Sequence, residues 1–302
     1  MISQVTIIGL GLIGGSIALA LRERGGVKVA AVDDAAVISD PRAVAMTDER
    51  VAAQDRVAFS GLLSRTELAV LAVPVGDIAR LLPEVLQSAQ VATDCGSTKE
   101  HIARVGGGHE RGRFFVPGHP MAGRPVGGLA NASATLFVGA RWLLCPQASD
   151  PGAVQVVESL VAALGGLAVH VEPEHHDRGV ALTSHVPQLF ASALAVLATR
   201  QQAWEVSGPG FASATRVAGG AESMWRDILA TNAGHVAGAL RALMRELEVV
   251  ASDLEGSPTE VASALRLLAE ARQAREDAAP MSRPEGVPGD QSGPTSLLGR
   301  FP

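Results

Sequence analysis

The chain of 302 residues contains no tyrosine, and aromatic residues make up only 3% of it. Aromatic platforms of the kind that stack single-stranded nucleic acid are therefore not expected. Cysteine occurs twice, at Cys95 and Cys145, too sparsely for a disulfide framework and without the spacing of metal ligands. That usage points to a reducing, cytoplasmic compartment. Lysine is confined to Lys28 and Lys99, and the net charge is −6. No overall positive charge invites nucleic acid or an anionic membrane. Charged residues amount to 19% against 47% hydrophobic ones, which excludes a wholly disordered chain and allows a sizeable core. The length suits two domains of ordinary size, or one large one.

Long apolar runs are scarce as well. The most conspicuous, residues 5–21 (VTIIGLGLIGGSIALAL), has no basic segment before it and is broken by Gly9, Gly11, Gly14 and Gly15. It is also shorter than the roughly 20 residues of a spanning helix. A buried strand, a tight turn and a buried helix account for it better than a signal peptide or an anchor.

What is present is an alternation. Strand-like runs at 4–8, 27–32, 67–73, 90–93, 113–117, 141–145 and 167–171 are separated by helical patterns near 12–24, 75–88, 98–105 and 151–164. Strands alternating with helices predict parallel βαβ units and a sheet covered on both faces. After Pro173 only helical patterns follow, at 174–202, 220–255 and 258–277. The expected organisation is a dinucleotide-binding domain over 1–172, a helical substrate and dimerisation domain over 173–278, and a disordered Pro- and Gly-rich tail over 279–302.

Gly9-Leu10-Gly11-Leu12-Ile13-Gly14 fits G-x-G-x-x-G between a strand and a helix, and Asp33 lies 19 residues past Gly14 at the end of the second strand. Gly9 permits the tight turn, Gly11 the approach of a pyrophosphate, and Gly14 close packing of helix on strand. The helix N-terminus offers N–H groups and a positive dipole end to phosphates. Asp33 would accept from the ribose hydroxyls and repel a 2′-phosphate, which favours NAD over NADP. Asp34 is adjacent, so the ribose contact has two candidate positions.

Four polar clusters remain: Asp94-Cys95-Gly96-Ser97-Thr98-Lys99, Gly118-His119-Pro120-Met121-Ala122-Gly123, His175-His176-Asp177 with Ser184-His185-Val186-Pro187, and Gly208 to Arg216 followed by Met224-Trp225-Arg226-Asp227-Ile228. The first two follow strands, at the edge where open α/β sheets bind ligands. Taken in order, these pieces resemble the prephenate dehydrogenase family, which includes arogenate and cyclohexadienyl dehydrogenases; the resemblance spans about residues 4–255. It implies an α/β, Rossmann-type nucleotide-binding domain followed by an all-α dimerisation domain, a homodimer, and oxidative decarboxylation of prephenate to 4-hydroxyphenylpyruvate, CO2 and NADH.

That reaction needs a proton acceptor near the ring hydroxyl and cations near the carboxylates. His119, in the place of the family's catalytic histidine, suits the first role because its ordinary pKa lies near neutrality. Ser97 resembles the serine that hydrogen-bonds the substrate hydroxyl and the histidine, and it is equally suited to cap the following helix. Arg216 resembles the arginine that grips a substrate carboxylate, for which a planar guanidinium is well shaped. His185, two residues before Pro187, is expected to contact the pyruvyl end, or else to be a satisfied core histidine. His175, His176 and Asp177 read as a helix start; no metal site is expected. The partners expected are a small-molecule substrate and a second copy of the chain, with no nucleic acid and no membrane. Where many family members carry an acidic residue after the HPMAG run, this chain has Arg124-Pro125. The stretch past residue 277 is too short for the regulatory domain some members carry. An alternative substrate is arogenate or a 4-amino analogue of prephenate from a secondary pathway.

Overall fold

The structure, a computed structural model, describes residues 2–124, 126–256 and 261–282. Six strands, β1 (Gln4–Ile8), β2 (Lys28–Asp33), β3 (Glu49–Ala52), β4 (Leu68–Leu71), β5 (Val91–Asp94) and β6 (Phe115–Val116), form one parallel sheet in the order β3-β2-β1-β4-β5-β6. The order reverses direction at β1, which pairs with β2 on one side and β4 on the other. In such sheets the crevice beyond the carboxyl ends of those strands is the ligand-binding place. Alternation along β1 sends Val5 and Ile7 into a core with Ile17, Leu21, Val157 and Leu160, and Ile8 into a second core with Phe59, Leu62, Ile78 and Leu82. Helices therefore cover both faces, as near-continuous apolar strands require.

On this sheet lie α1 (Leu12–Arg24), α2 (Ala35–Ile38), α3 (Pro41–Met46), α4 (Arg56–Leu63), α5 (Val75–Ser88), α6 (Glu100–Gly107) and α7 (Pro151–Ala163). A second sheet holds β7 (Gly118–Pro120), β8 (Arg141–Leu144) and β9 (Leu167–His170), with β7 antiparallel to β8 and β8 parallel to β9. Neither β3 nor β7 is foreseen by the pattern. The Gly-His-Pro stretch, expected to follow a strand, is itself a strand, since its pairing with β8 supplies what its local propensity lacks.

Among the described residues only helices follow: α8 (Pro173–Val180), α9 (Val186–Arg200), α10 (Pro209–Thr215), α11 (Glu222–Thr231), α12 (Ala233–Gly256) and α13 (Ala262–Ser282). A π turn, Ala181–His185, joins α8 to α9 in one continuous helix of 28 residues. Pro187 has no N–H to give to the preceding turn, and the wider π turn is the local accommodation. The expected helix over 220–255 is broken at Asn232, which leaves helical geometry at φ −123° and ψ 22°. The last helix runs to Ser282, past the expected helical limit of 277, so the start of the tail expected to be disordered from 279 is helical; the rest of that tail lies outside the described residues.

The sheet and the helices are tied together at two helix starts. Neither α5 nor α6 has a side-chain cap from its own N-cap residue, Pro74 or Lys99. The carboxylate of Asp227 on α11 accepts the N–H of Gly76 (3.2 Å). That of Asp177 on α8 accepts the N–H groups of Lys99 (2.7 Å) and Glu100 (2.9 Å). Both carboxylates sit where unsatisfied N–H groups and the helix dipole favour negative charge. The reading of Ser97 as the cap of α6 is thereby corrected: the helix begins later, and its cap comes from α8.

Candidate active site

At the reversal point of the main sheet, β1 ends in a turn that only glycine fits. Gly9 has φ +100°, and a Cβ on it would lie 2.6 Å from the carbonyl oxygen of Ala72. A Cβ on Gly14 would meet the Gly9 carbonyl oxygen at 1.8 Å, so α1 packs against this turn with no side chain between them. At Gly11 the space is open. The helix α1 begins there with no side-chain cap and no acidic residue in its first turn. Gly9 and Gly11 border a cleft of about 370 Å³ with Asp33, Asp34, Pro74 and Arg80. Asp33 holds this turn as well, accepting from the N–H of Leu10 (2.5 Å) and of Asp34 (2.6 Å).

These features fit a dinucleotide: open space at Gly11, free N–H groups at the helix start, and a carboxylate at the tip of β2. Two arginines that sequence spacing does not place there, Arg56 and Arg80, also line the cleft. Arg56 is ion-paired with Glu84, and Arg80 with Asp77 at 2.8 Å. Both guanidinium groups that face the cleft are thus already matched by carboxylates.

A second group of side chains gathers where β5, β7 and α8 meet. Asp94 and Lys99 form an ion pair with no solvent exposure on either side chain. Asp94 accepts the N–H of Gly118 (3.0 Å) and Lys99 donates to its carbonyl (2.7 Å), so the pair holds both polar groups of the residue before His119. His119 Nδ1 lies 2.9 Å from His176 Nε2, and His176 Nδ1 lies 2.7 Å from Asp177 Oδ1. The rings of His119 and His176 meet edge to face at 5.1 Å. Burial, then the neighbouring charges of His176, Lys99 and His185, holds His119 well below the usual histidine range, so the ring is neutral near pH 7. Burial raises the pKa of Asp177, but hydrogen bonds from His176 and from the Glu100 and Lys99 amides outweigh it and keep the carboxylate ionised.

His185 sits in the π turn and is 1% exposed. Burial, opposed by Asp177 and reinforced by His176, pulls it down to about 4. Its ring packs edge-on against Trp225 at 5.8 Å, and its Nδ1 lies 3.3 Å from Asn232 Nδ2. Asn232 Nδ2 also donates to the carbonyl of Asp177 (2.8 Å). A carbonyl only accepts, so the amide orientation is fixed, Nδ1 of His185 accepts, and its proton resides on Nε2. Trp225 Nε1 has no hydrogen-bond partner among the described residues. Burial pushes the Cys145 thiol up to about 12 and raises that of Cys95 as well, so neither is a ready nucleophile.

The structure thus brings together Gly9, Gly11 and Asp33 on the cleft, with Gly14 packed beneath the turn. It joins His119 to His176 and Asp177, and His185 to Asn232 and Trp225. Ser97 is half-buried in the loop after β5, and Arg216 is exposed in a 3-10 turn after α10. Neither hydrogen-bonds to any of these residues among the described ones. Sequence reasoning does not single out His176, Asp177 or Asn232 for chemistry. The adjacent polar pair on a helix was the signal available for the first two, and nothing in the sequence marks Asn232.

Comparison with known proteins points the same way. Residues 17–170 match the family described as prephenate dehydrogenase, nucleotide-binding domain, and residues 172–268 match prephenate dehydrogenase, dimerization domain. A prephenate dehydrogenase of Bacillus subtilis (strain 168) is 30% identical over 86% of this chain and 72% of its own length. A cyclohexadienyl dehydrogenase of Zymomonas mobilis is 30% identical over 86% of this chain and 89% of its own. The crystal structure of prephenate dehydrogenase from A. aeolicus, in complex with hydroxyphenyl propionate and NAD+, is 25% identical and superposes with a TM-score of 0.77 over 91% of this chain and 98% of that one. The glycine turn, the buried histidine cluster and these matches agree, and the chain belongs to the prephenate dehydrogenase family of NAD-dependent oxidoreductases.

Proposed function

We propose that the chain oxidises and decarboxylates prephenate to 4-hydroxyphenylpyruvate, with His119 as general base. The observation that carries this reading is the His119 ring, anchored from behind by His176 and Asp177. Bound NAD supplies the hydride acceptor for the hydroxyl-bearing ring carbon. His119 takes the hydroxyl proton as the carbonyl forms, and the ring carboxylate departs as CO2. The resulting oxyanion recovers a proton from His119, which leaves a phenol and an unprotonated base. General-base assistance of this kind is worth about 10² to 10⁴ in rate. Ser97 holds the substrate hydroxyl, and Arg216, which has no ion-pair partner among the described residues, grips a substrate carboxylate. In this reading the Nε2–H of His185 is the donor available to the pyruvyl end.

Prephenate is favoured over arogenate because the carboxylate of the histidine cluster is committed elsewhere. Asp177 accepts from His176, Lys99 and Glu100, which leaves it poorly placed to receive the ammonium that arogenate carries. Arg124 is exposed and donates to the carbonyl of Asn131 (3.1 Å), while Pro125 lies outside the described residues. NAD is favoured over NADP because Asp33 borders the cleft and both cleft arginines are paired.

The homodimer belongs to the same proposal. The continuous helix 173–200 is long and apolar enough to cross a membrane by length and composition, and Leu182, Phe190, Val196 and Leu197 on it are exposed. A second copy of the chain, packed along these helices, covers that apolar face in a cytoplasmic enzyme. The division at residue 172 then separates cofactor binding from dimerisation.

The test is product stoichiometry. Purified protein with prephenate and NAD should yield 4-hydroxyphenylpyruvate, CO2 and NADH in equal amounts. NADH without CO2, or no NADH, would overturn the assignment.

A further inference from the structure

We infer that His176 and Asp177 are positioning residues that fix the proton of His119 on Nδ1, so that Nε2 is the nitrogen offered to the substrate. The inference rests on the proposed role of His119 as base and deepens it. The two oxygens of Asp177 take three donors: His176 Nδ1 (2.7 Å), the Lys99 N–H (2.7 Å) and the Glu100 N–H (2.9 Å). An ionised carboxylate only accepts, so His176 must carry its proton on Nδ1. With its ring proton on Nδ1, His176 presents the lone pair of Nε2, 2.9 Å from His119 Nδ1. Two lone pairs cannot face each other at that distance, so His119 donates from Nδ1, and its free lone pair is on Nε2. The two helix-start amides complete the device, because they hold Asp177 in place whichever way the imidazole rings turn.

The same chain of hydrogen bonds acts during turnover. When His119 receives the hydroxyl proton at Nε2, the ring becomes cationic in a site that burial makes unfavourable for charge. Lys99 and any protonated His185 oppose that charge, while Asp94 is matched by Lys99. Asp177 is the remaining carboxylate of the cluster, and it reaches His119 only through His176. The relay therefore orients the base, and because Asp177 acts through His176 rather than beside His119 it offsets only part of the charge.

The experiment is long-range 1H–15N NMR of the full-length protein labelled at histidine, with His119→Asn and His176→Leu used to assign the rings. The wild type near pH 7 should show the Nδ1–H tautomer for both His119 and His176. In kinetics, His176→Leu should lower kcat by about 10²-fold with KM within about twofold. His176→Gln, whose amide offers one acceptor and one donor, should recover a clear part of the loss. An Nε2–H tautomer at His119 in the wild type would overturn the inference, and so would a His176→Leu variant with unchanged kcat. The tautomer is read without turnover, so a wrong substrate assignment leaves this test intact, and a failed tautomer leaves the substrate assignment intact.

Discussion

Lys99 and Asp94 are ion-paired with neither side chain exposed to solvent, and together they grip the backbone of Gly118 from both sides. Lys99 is one of only two lysines in the chain. A buried charge left without its partner costs about 3–5 kcal/mol. Lys99→Met should therefore lower the unfolding free energy by about that amount in a denaturant titration. A loss below about 1 kcal/mol would show that the pair contributes little beyond shape.

Acidification should destabilise the protein through its buried histidines. His185 is pulled down to about 4 and His119 lies well below its usual value, so both are neutral in the folded state where the unfolded chain, near 6.5, takes up protons. The unfolded state then binds more protons, and stability falls as pH drops from about 6.5 toward 4. Asp177 acts in a lower window: its carboxylate contributes stability above its unfolded value, which is lost as pH falls through the depressed folded one. Melting temperatures between pH 7 and 4 should decline, and His185→Gln should flatten the decline. A flat wild-type profile would contradict the neutral assignment.

Cofactor choice is assigned to Asp33. The double change Asp33→Ser with Asp34→Arg removes a carboxylate from the cleft and adds a free guanidinium, so kcat/KM with NADP should rise relative to NAD. A wild type that already prefers NADP would refute the role of Asp33 and would mean that Arg56 or Arg80 leaves its carboxylate partner.

His119 and Arg216 should separate kinetically. His119→Asn should lower kcat by about 10² to 10⁴ with little change in KM. Arg216→Gln should act mainly on KM, because a carboxylate grip is made in ground and transition states alike. Equal losses in kcat, with KM untouched at Arg216, would contradict this division.

Much of the fold is legible in the sequence because its signals are local. The apolar run into Gly9, the helix after it and Asp33 at the next strand end all depend on neighbours along the chain. The change to helices after Pro173 is likewise a matter of periodicity. What was not legible depends on distant partners. Gly118-His119-Pro120 has no strand pattern of its own and becomes a strand by pairing with β8. Helix α6 looks as if Ser97 should cap it, yet the cap arrives from Asp177, 77 residues on from Glu100. The break at Asn232 falls inside a continuous helical pattern, where burial of its amide against Asp177 and His185 decides the geometry. His119 was readable as a candidate base, whereas the pair behind it was not, since 57 residues separate it from His176.

The ratio of kcat/KM for prephenate and arogenate, at one pH and salt concentration with NAD, decides which of the two substrates the site is built for. Prephenate should be clearly preferred, because Asp177, the carboxylate of the histidine cluster, is taken up by His176 and two helix-start N–H groups. A clear preference for arogenate would contradict the account and would require an acidic group at the side-chain end of the pocket.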